Sequence, residues 1–351
     1  MKKITVKASK TYDIHIGTGI LDDAGPYIRQ AVGGKIAAII SDDIVSALYE
    51  QRLIDTLTKS EYSVVTHVIP NGESSKKPEN LIAILNLLAE KKLSRTDVVV
   101  ALGGGVVGDL AGFVAACYMR GINFVQIPTT LLAAIDSSVG GKTAVNLSAG
   151  KNLAGAFYQP DAVVCDVSLL STLTEEVYAD GCAEVIKYGV IADKGLFELI
   201  KKPIRDNLID VITRCVEIKR DIVREDEREN GIRKLLNYGH TIGHAIELLS
   251  GYRIFHGHAV AAGMAIEARA AVKMNLCTAD CLEELLKMLR LYNLPKSTDY
   301  DAADLANACL SDKKRDGDSL TMILPVQIGK CILKEIPVSD LESVIKQGLD
   351  V

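Results

Sequence analysis

The chain has 351 residues, of which 48% are hydrophobic and 28 are glycine, and its formal net charge is −5. This length allows about two domains, and the composition is that of a globular α/β protein with a sizeable core. Lysines and arginines are scattered without a basic stripe, which argues against nucleic acid as a partner but not against a small anionic ligand.

The first half of the chain alternates short apolar runs with helical patterns. "ITVKA" and "YDIHIG" predict a small antiparallel pair, whereas "KIAAIIS", "SVVTHVI", "DVVVALGGG" and "NFVQIPTT" are typical of buried parallel strands. Helical stretches such as "PENLIAILNLLAEKKL" lie between them. This order predicts an α/β domain with a Rossmann-like, doubly wound, mostly parallel sheet, and ligands at the carboxyl ends of its strands.

Helical periodicity dominates the second half. It runs through segments such as "EEVYADGCAEVIKYGVI", "IRKLLNYGHTIGHAIELL" and "HAVAAGMAIEARAAVKM", and strand-like runs return only in "LTMILPV" and "KCILKEI". We therefore predict an α/β domain over residues 1–172 and a mainly α-helical domain over residues 173–351.

The N-terminal segment and the cysteines bear on the compartment. The segment alternates apolar and polar residues, unlike a signal peptide, and no run approaches the ~18 apolar residues of a membrane span. The eight cysteines include no CxxC pair and several lie in apolar runs, a pattern typical of buried, reduced thiols. We expect a cytoplasmic protein that does not cross a membrane.

The segment "DVVVALGGGVVGDLAG" places Gly103, Gly105 and Gly108 in a GxGxxG pattern. Such glycines, between a strand and a helix, let backbone N–H groups approach a pyrophosphate. A turn needed only for packing is the alternative. The next strand ends without an acidic residue, but Asp42 ends the earlier strand "KIAAIISDD", so Asp42 is our candidate for the adenosine ribose.

The densest polar stretch runs from "PTTLLAAIDSS" to "GKNLAGAFYQP". Its polar side chains, spaced by small residues, suit a loop that folds around anionic oxygens; they are Asp136, Ser137, Lys142, Asn146, Lys151 and Asn152. The "GGKT" within it is not a nucleotide P-loop, because no GxxxxGK[ST] spacing exists. A surface loop without a ligand is the other interpretation.

Four of the six histidines fall between residues 240 and 258, and His240 and His244 are spaced by four. Residues at this spacing share a helix face, where a His pair can bind one metal ion. His256, at the predicted start of the next helix, and Glu184 in "CAEVIKYG" are further possible ligands of a catalytic zinc. Purely structural histidines are the alternative, and spacing does not decide between these three histidines and His258.

Seven segments resemble the 3-dehydroquinate synthase family, in the family's order, between about residue 70 and residue 317. They are "PNGESSK", "ALGGGVVGDLAGFVAACYMRGINFVQIPTTLLAAIDSSVGGKTAVN", "GKNLAGAFYQP", "CAEVIKYG", "RKLLNYGHTIGHA", "HGHAVAAGM" and "SDKKRDG". The resemblance implies an NAD-binding α/β domain, a helical domain that binds Zn²⁺ or Co²⁺, and a homodimer.

The resemblance also implies a reaction of the shikimate pathway, in aromatic amino-acid biosynthesis. The substrate would be a phosphorylated heptulosonate, 3-deoxy-D-arabino-heptulosonate 7-phosphate. Bound NAD⁺ would oxidise its C5 hydroxyl, phosphate would leave by elimination, the hydride would return, and an aldol reaction would close the ring of 3-dehydroquinate. The metal would act as a Lewis acid. The enzyme would thus be an NAD- and metal-dependent phosphate lyase.

Site residues follow from the resemblance by position. The metal ligands would be Glu184, His240 and His256; His244 would lie near the departing phosphate, and Asp136 near substrate and nicotinamide. Further substrate contacts would be Lys142, Lys151, Asn152, Lys187, Lys219, Arg233, Asn237 and one of Lys313 and Lys314, with Arg120 reaching the partner subunit's site. Contacts to NAD⁺ would come from Asp42, Glu73, Lys76, Gly104, Gly105, Val106, Asp109, Thr129, Thr130, Leu132, Ser137, Lys142, Lys151 and Thr172.

Three positions depart from the family pattern. Ile44 stands where the family has the asparagine of Asp-x-Asn, and His258 stands where a glutamate is common. "TLTEEVYADG" lacks the proline and arginine common after "TL". These changes bear on cofactor contacts and on the surroundings of the metal, but they remove no residue assigned to chemistry.

Two other enzyme classes and one binding protein are alternatives. A 2-deoxy-scyllo-inosose synthase-like cyclase acts on glucose 6-phosphate, which has no carboxylate for Lys142 and Arg233 to bind. A polyol oxidoreductase of the glycerol-dehydrogenase type would accumulate NADH. A catalytically silent NAD-binding sensor would not need the many lysines and metal-ligand residues found here.

Overall fold

The computed structural model describes residues 1–311, 315–316 and 318–349. The chain divides into two compact units. The first contains Met1–Leu173 and Lys219–Glu227, and the second contains Thr174–Ile218 and the described residues from Arg228 onward. The assignment of cofactor binding to residues 1–172 and of metal and substrate binding to residues 173–351 stays a prediction.

The first unit alternates strands and helices. Its strands are β1 (Lys2–Lys7), β2 (Thr11–Gly17), β3 (Ile36–Asp42), β4 (Ser63–Ile69), β5 (Val98–Gly103), β6 (Asn123–Pro128), β7 (Lys142–Leu147), β8 (Gly150–Phe157) and β9 (Ala162–Asp166). Its helices are α1 (Ala24–Ala31), α2 (Asp43–Val45), α3 (Gln51–Lys59), α4 (Pro78–Glu90) and α5 (Gly105–Cys117).

Seven of these strands form one sheet in the order β1-β2-β9-β6-β5-β3-β4. Only the β1–β2 pair within it is antiparallel. Neighbouring residues of a strand face opposite sides, so Val98 and Val100 pack in one apolar cluster with α1 and α3, while Val99 and Ala101 pack in another with α4 and α5. Helices therefore cover both faces, and the predicted doubly wound sheet is confirmed.

Two parts of the first unit differ from the sequence-based expectation. The run "AVVCD" forms β9, which lies between β2 and β6 and was not predicted as a strand. Much of the polar stretch expected to be a loop is the antiparallel hairpin β7–β8, preceded by a π-helical turn at Ala133–Ser137.

The second unit is mainly helical, as predicted. Its helices are α6 (Glu175–Ile191), α7 (Lys194–Leu199), α8 (Leu208–Glu225, whose last part belongs to the first unit), α9 (His240–Leu249), α10 (His256–Lys273), α11 (Ala279–Leu291), α12 (Ala302–Ser311) and α13 (Val338–Leu349). Its strands, β10 (Arg315–Asp316), β11 (Ser319–Gln327) and β12 (Lys330–Pro337), form a small antiparallel sheet.

Helix α10 is the buried centre of this unit and packs against α6, α9 and α13. Small residues allow the close approach of α9. A Cβ added to Gly243 would lie 3.0 Å from Cα of Val260, and one added to Gly263 would lie 3.0 Å from the carbonyl carbon of Gly239. This packing brings the first turn of α10 beside α9 and α6.

The prediction of one continuous helix through "IRKLLNYGHTIGHAIELL" is wrong. Residues Ile232–Asn237 form a 3₁₀ segment, and α9 begins only at His240. Gly239 separates the two with a φ of 78°, and a Cβ there would lie 2.6 Å from the carbonyl oxygen of Val260. Arg233 and Asn237 therefore do not share one α-helical face with the histidines.

Two further expectations concern the whole chain. No helix among the described residues is both long and apolar enough to span a lipid bilayer. Seven of the eight cysteines are buried, as predicted, and Cys117 is exposed.

Candidate active site

The carboxyl edge of the large sheet brings Asp42 beside the glycine turn. Strand β3 pairs with β5, and the Ser41 hydroxyl donates a hydrogen bond to the Leu102 carbonyl at 2.8 Å. Asp42 is buried, and its Oδ1 accepts hydrogen bonds from the backbone N–H groups of Ile44 and Val45. The Ile44 side chain, in the usual asparagine position, is exposed.

Residues after β6 line the same glycine turn. A Cβ on Gly104 would lie 3.1 Å from Thr130, and a Cβ on Gly105 would lie 3.2 Å from Ser137 and 4.0 Å from Leu132. The backbone N–H of Thr129 donates to the Gly103 carbonyl at 3.0 Å. A side chain at either glycine would therefore require Thr130 or Ser137 to shift by a few tenths of an ångström. The turn ends at the N-terminus of α5, where an anion is favoured.

Two further residues assigned to NAD⁺ contacts are Val106, in the first turn of α5, and Thr172, near the end of the Met1–Leu173 segment. Val106 packs against the apolar cluster beneath α5. Thr172 lies in a 3₁₀ turn, and its hydroxyl shares a 2.6 Å hydrogen bond with the Tyr49 hydroxyl.

An ion pair joins Lys76 to Asp109 on α5. Burial raises the pKa of Asp109, and the adjacent Lys76 ammonium opposes that rise. The β7–β8 hairpin is bound to the same loop, because Asn146 donates its side-chain amide to Glu73 at 2.8 Å and its backbone N–H to the Lys76 carbonyl at 2.8 Å. Lys151 on β8 lies 3.9 Å from the same Glu73 oxygen.

A second ion pair joins Asp136 to Lys219. The Lys219 ammonium also donates to the Asp136 backbone carbonyl at 2.7 Å, which fixes the lysine against the π-helical turn. Lys142, at the start of β7, is exposed. Asn152 has a φ of 54° and donates its backbone N–H to the Asn146 side chain at 2.9 Å.

Arg120 lies in a strained turn after α5. Met119 and Arg120 have φ values of 49° and 64°, and Gly121 follows with 123°. Non-glycine residues rarely adopt such values, and strained backbone of this kind clusters at functional sites. Arg120 is exposed.

The second unit brings together Glu184 on α6, His240 at the start of α9 and His256 at the start of α10. Nε2 of His240 lies 3.4 Å and Nε2 of His256 lies 3.6 Å from Oε1 of Glu184. One potential ligand atom from each of the three lies within 4.8 Å of the others. Two imidazoles and a carboxylate are a donor set found in catalytic zinc sites, so these residues fit a divalent metal ion.

Buried charge surrounds this group. The Lys187 ammonium forms an ion pair with Glu184 one turn earlier on α6, and both side chains are buried. Burial acts to lower the pKa of His256, but the adjacent carboxylates of Glu184 and Glu247 raise it to about 10. A metal ion that binds here must displace a proton from His256.

His244 and His258 occupy different surroundings. His244 forms another possible ligand group with Glu247 and His256, again within 4.8 Å. Nδ1 of His258 lies 3.1 Å from the Asp180 carboxylate. Among the described residues His258 belongs to neither group of possible ligands, so the change from glutamate at this position produces a His258–Asp180 pair.

Arg233 and Asn237 lie in the 3₁₀ segment before α9, and Arg233 is almost fully buried. Asn237 donates its side-chain amide to Glu229, which has a φ of 64°. Sequence reasoning missed Glu229, although "ERENGIRKLLNYGH" places this carboxylate four residues before Arg233. Lys313 and Lys314 lie outside the described residues.

Two buried glutamates were also missed. Glu247 on α9 contacts His256, and Glu267 on α10 accepts the Gly239 backbone N–H at 2.7 Å. Both side chains are at most 3% exposed. Their only signal in the sequence is an acidic residue inside an apolar helical segment, which is typical of buried acids with a specific partner.

Most of the chain is similar to one family of known proteins. Residues 66–180 match the family described as 3-dehydroquinate synthase N-terminal, and residues 181–315 match the family described as 3-dehydroquinate synthase C-terminal. A curated 3-dehydroquinate synthase from Caldanaerobacter subterraneus subsp. tengcongensis is 44% identical over 348 residues, which cover 96% of this chain and 97% of that protein.

Solved structures of related cyclases are also similar. A 2-deoxy-scyllo-inosose synthase complexed with carbaglucose-6-phosphate, NAD⁺ and Co²⁺ is 28% identical, with a TM-score of 0.87 over 99% of this chain and 100% of that one. The 2-epi-5-epi-valiolone synthase of Streptomyces hygroscopicus subsp. jinggangensis, with NAD⁺ and Zn²⁺ bound, is 26% identical, with a TM-score of 0.87 over 99% of both chains.

Proposed function

The chain belongs to the 3-dehydroquinate synthase family, and from that membership we propose that it converts 3-deoxy-D-arabino-heptulosonate 7-phosphate into 3-dehydroquinate and phosphate, with catalytic NAD⁺ and one divalent metal ion. The observation that carries the proposal is the convergence of Glu184, His240 and His256 within the second unit. Relatives of similar fold bind NAD⁺ with Co²⁺ or Zn²⁺, which supports the same cofactors here.

When bound, NAD⁺ supplies a reversible hydride acceptor, and the metal ion supplies a Lewis acid. Residues 1–172 would bind NAD⁺, with the turn at Gly104 and Gly105 against the pyrophosphate and Asp42 at the ribose. Glu73, Lys76, Asp109, Thr129, Thr130, Leu132, Ser137, Lys151 and Thr172 would complete that site. Residues 173–351 would hold the metal through Glu184, His240 and His256.

The substrate carries a carboxylate and a phosphate, and the chain provides cations for both. Arg233 would bind the carboxylate, because a guanidinium donates two parallel hydrogen bonds to such a group. The ammonium groups of Lys142, Lys187 and Lys219 would bind the remaining oxygens. Each of the last two already pairs with a carboxylate in the structure, Glu184 and Asp136, which holds it in place.

His244 is the proposed group for proton movement on the phosphate side. Its ring centroid lies 5.5 Å from that of His240 and 5.8 Å from that of His256, so it is close to two of the three proposed metal ligands. Its imidazole would hold a proton beside the departing phosphate. Asn237 and Asn152 would orient the substrate, since amides can both donate and accept hydrogen bonds.

A homodimer is part of the proposal. Arg120 is exposed, and it follows Met119 in a strained turn that costs about 1–3 kcal/mol for each such residue. A partner subunit's site that receives the guanidinium would account for the maintenance of this strain. We propose that Arg120 contacts the substrate bound in the partner.

The direct test is phosphate release by purified, metal-loaded protein supplied with NAD⁺ and the heptulosonate phosphate. Glucose 6-phosphate serves as the control substrate, because a 2-deoxy-scyllo-inosose synthase would act on it. We expect phosphate from the heptulosonate phosphate and none from glucose 6-phosphate. Phosphate from glucose 6-phosphate alone, or from neither substrate, would remove the assignment.

A further inference from the structure

We propose that Glu247 is a positioning residue that fixes the tautomer and orientation of His256, so that Nε2 of this histidine presents its lone pair to the metal. The inference rests on the proposed function, because it concerns the metal site assigned there. Glu247 itself does not bind the metal.

The two nitrogens of His256 face two different carboxylates. Nδ1 lies 3.1 Å from Oε2 of Glu247, within hydrogen-bond distance, whereas Nε2 lies 3.6 Å from Oε1 of Glu184, beyond it. A neutral imidazole has one N–H and one lone pair. With the N–H at Nδ1 and donated to Glu247, the lone pair at Nε2 faces the position between Glu184 and His240.

His240 has the same tautomer, but a backbone carbonyl and not a side chain accepts its N–H. Its Nδ1 lies 3.1 Å from the backbone carbonyl of Tyr238, and its Nε2 lies 3.4 Å from Oε1 of Glu184. A carbonyl oxygen can only accept a hydrogen bond, so Nδ1 of His240 carries the proton. Both histidines thus direct Nε2 toward one carboxylate oxygen, but only the partner of His256 is a side chain that a substitution can remove.

The location of Glu247 suits a permanent partner. It lies two helical turns after His240 on α9, and its side chain is 3% exposed. A buried carboxylate is costly unless it accepts hydrogen bonds. Two hydrogen bonds also hold the loop between α9 and α10 against Glu247. The Ser250 hydroxyl and the Tyr252 backbone N–H both donate to the Glu247 backbone carbonyl, each at 2.8 Å.

A competing role for Glu247 is direct metal binding, together with His244 and His256. The contact at Nδ1 argues for positioning, because the proposed ligand of the Glu184 group is the opposite ring nitrogen. Carboxylate partners of this kind set the orientation and basicity of a metal-bound imidazole, and their loss weakens metal binding about 10- to 100-fold.

The test is a titration of metal-free protein with Co²⁺, followed by visible absorption. Wild type should bind one Co²⁺ per chain. Glu247→Ala should bind it about 10- to 100-fold more weakly, with an altered cobalt spectrum. Glu247→Gln should restore most of the affinity, because the glutamine oxygen still accepts from Nδ1. Asp180→Asn is the matched control, since it alters the same kind of carboxylate contact to His258, and its Co²⁺ affinity should stay close to wild type.

Different outcomes separate this inference from the proposed function. If wild type binds no Co²⁺, the metal site of the proposed function fails and the inference fails with it. If wild type binds Co²⁺ and Glu247→Ala matches it in affinity and spectrum, only the positioning role is overturned. Two Co²⁺ per wild-type chain, falling to one in Glu247→Ala, would make Glu247 a ligand instead.

A second measurement does not depend on the folding of any Glu247 variant. Nitrogen NMR of zinc-loaded wild-type protein with labelled histidine reports which ring nitrogen carries the proton. We expect His256 to be protonated at Nδ1 and bound through Nε2. Binding through Nδ1, with the proton at Nε2, would contradict the proposal.

Discussion

His240 and His244 lie one turn apart on α9, with ring centroids 5.5 Å apart and ring planes inclined by 82°, yet they belong to different groups of possible metal ligands. Of these two histidines, only His240 belongs to the group that contains Glu184.

We therefore expect His240→Ala to lose metal affinity more than about 100-fold. Loss of a residue that only hydrogen-bonds to a metal ligand already weakens metal binding about 10- to 100-fold. His244→Ala should retain most of the metal and lose turnover. Metal content after gel filtration measures the difference, and equal loss from both variants would contradict the division of roles.

Arg233 is expected to act on the substrate and not on the cofactor. Arg233→Ala should lower kcat/KM for the heptulosonate phosphate by about 30-fold or more, because truncating one partner of a buried charge pair costs about 2–5 kcal/mol. The affinity for NAD⁺, measured by calorimetry, should not change. The adjacent Lys234→Ala is the control and should keep wild-type turnover. Unaltered turnover in Arg233→Ala would remove Arg233 from the carboxylate site.

Arg120 can be tested by subunit complementation. Arg120→Ala and His240→Ala should each be inactive as pure proteins. Co-expressed, they should form mixed dimers in which the site of the Arg120→Ala chain receives Arg120 from the other subunit. Random assembly into symmetric dimers would give about one quarter of wild-type activity. No recovery in purified mixed dimers would mean that Arg120 acts in its own subunit or has no catalytic role.

Asp97 gives the first unit a pH-dependent stability. Burial acts to raise its pKa, but hydrogen bonds from the Ser94 hydroxyl and from the N–H groups of Ser94, Lys35 and Ile36 hold the pKa below the ordinary 3.8. A lowered folded-state pKa stabilises the protein above pH 3.8, and this stabilisation is lost as pH falls through the folded-state pKa.

Asp97→Asn should therefore lower the free energy of unfolding by about 2 kcal/mol at neutral pH. The difference from wild type should narrow in acid, as the wild-type carboxyl group becomes protonated. Denaturant unfolding followed by circular dichroism at several pH values measures this, with the exposed Asp55→Asn as control. If the difference in free energy of unfolding between wild type and Asp97→Asn grew as pH falls, it would contradict a lowered pKa of Asp97 in the folded protein.

The strands of the large sheet were predictable because both of its faces are covered. Ile39 and Ile40 are adjacent in β3 but pack in opposite clusters, so the strand is a continuous apolar run in the sequence. The β7–β8 hairpin was missed because it is rich in small and polar residues. A Cβ on Gly155 would come within 2.9 Å of Cα of Ala144, so glycine there serves close strand packing and not a loop.

The break before α9 was not predictable from local pattern. The helical periodicity continues through Gly239. The structure shows that α10, with Val260 and Met264 against that glycine, leaves no room for a Cβ there, and that Gly239 has a left-handed conformation. The two ion pairs could not be predicted from the sequence either. Lys219 pairs with Asp136 across 83 positions and Lys76 with Asp109 across 33, so tertiary packing determines them.

The most direct test of the proposed function is the number of phosphates released for each NAD⁺ supplied. Metal-loaded protein would receive heptulosonate phosphate in large excess over NAD⁺. The released phosphate and the absorbance of NADH would be recorded at the same time. The proposed function predicts that phosphate release continues far beyond one equivalent of NAD⁺ while no NADH accumulates, because the hydride returns in every turnover. NADH that accumulates in step with substrate loss, or phosphate release that stops at one equivalent of NAD⁺, would contradict it.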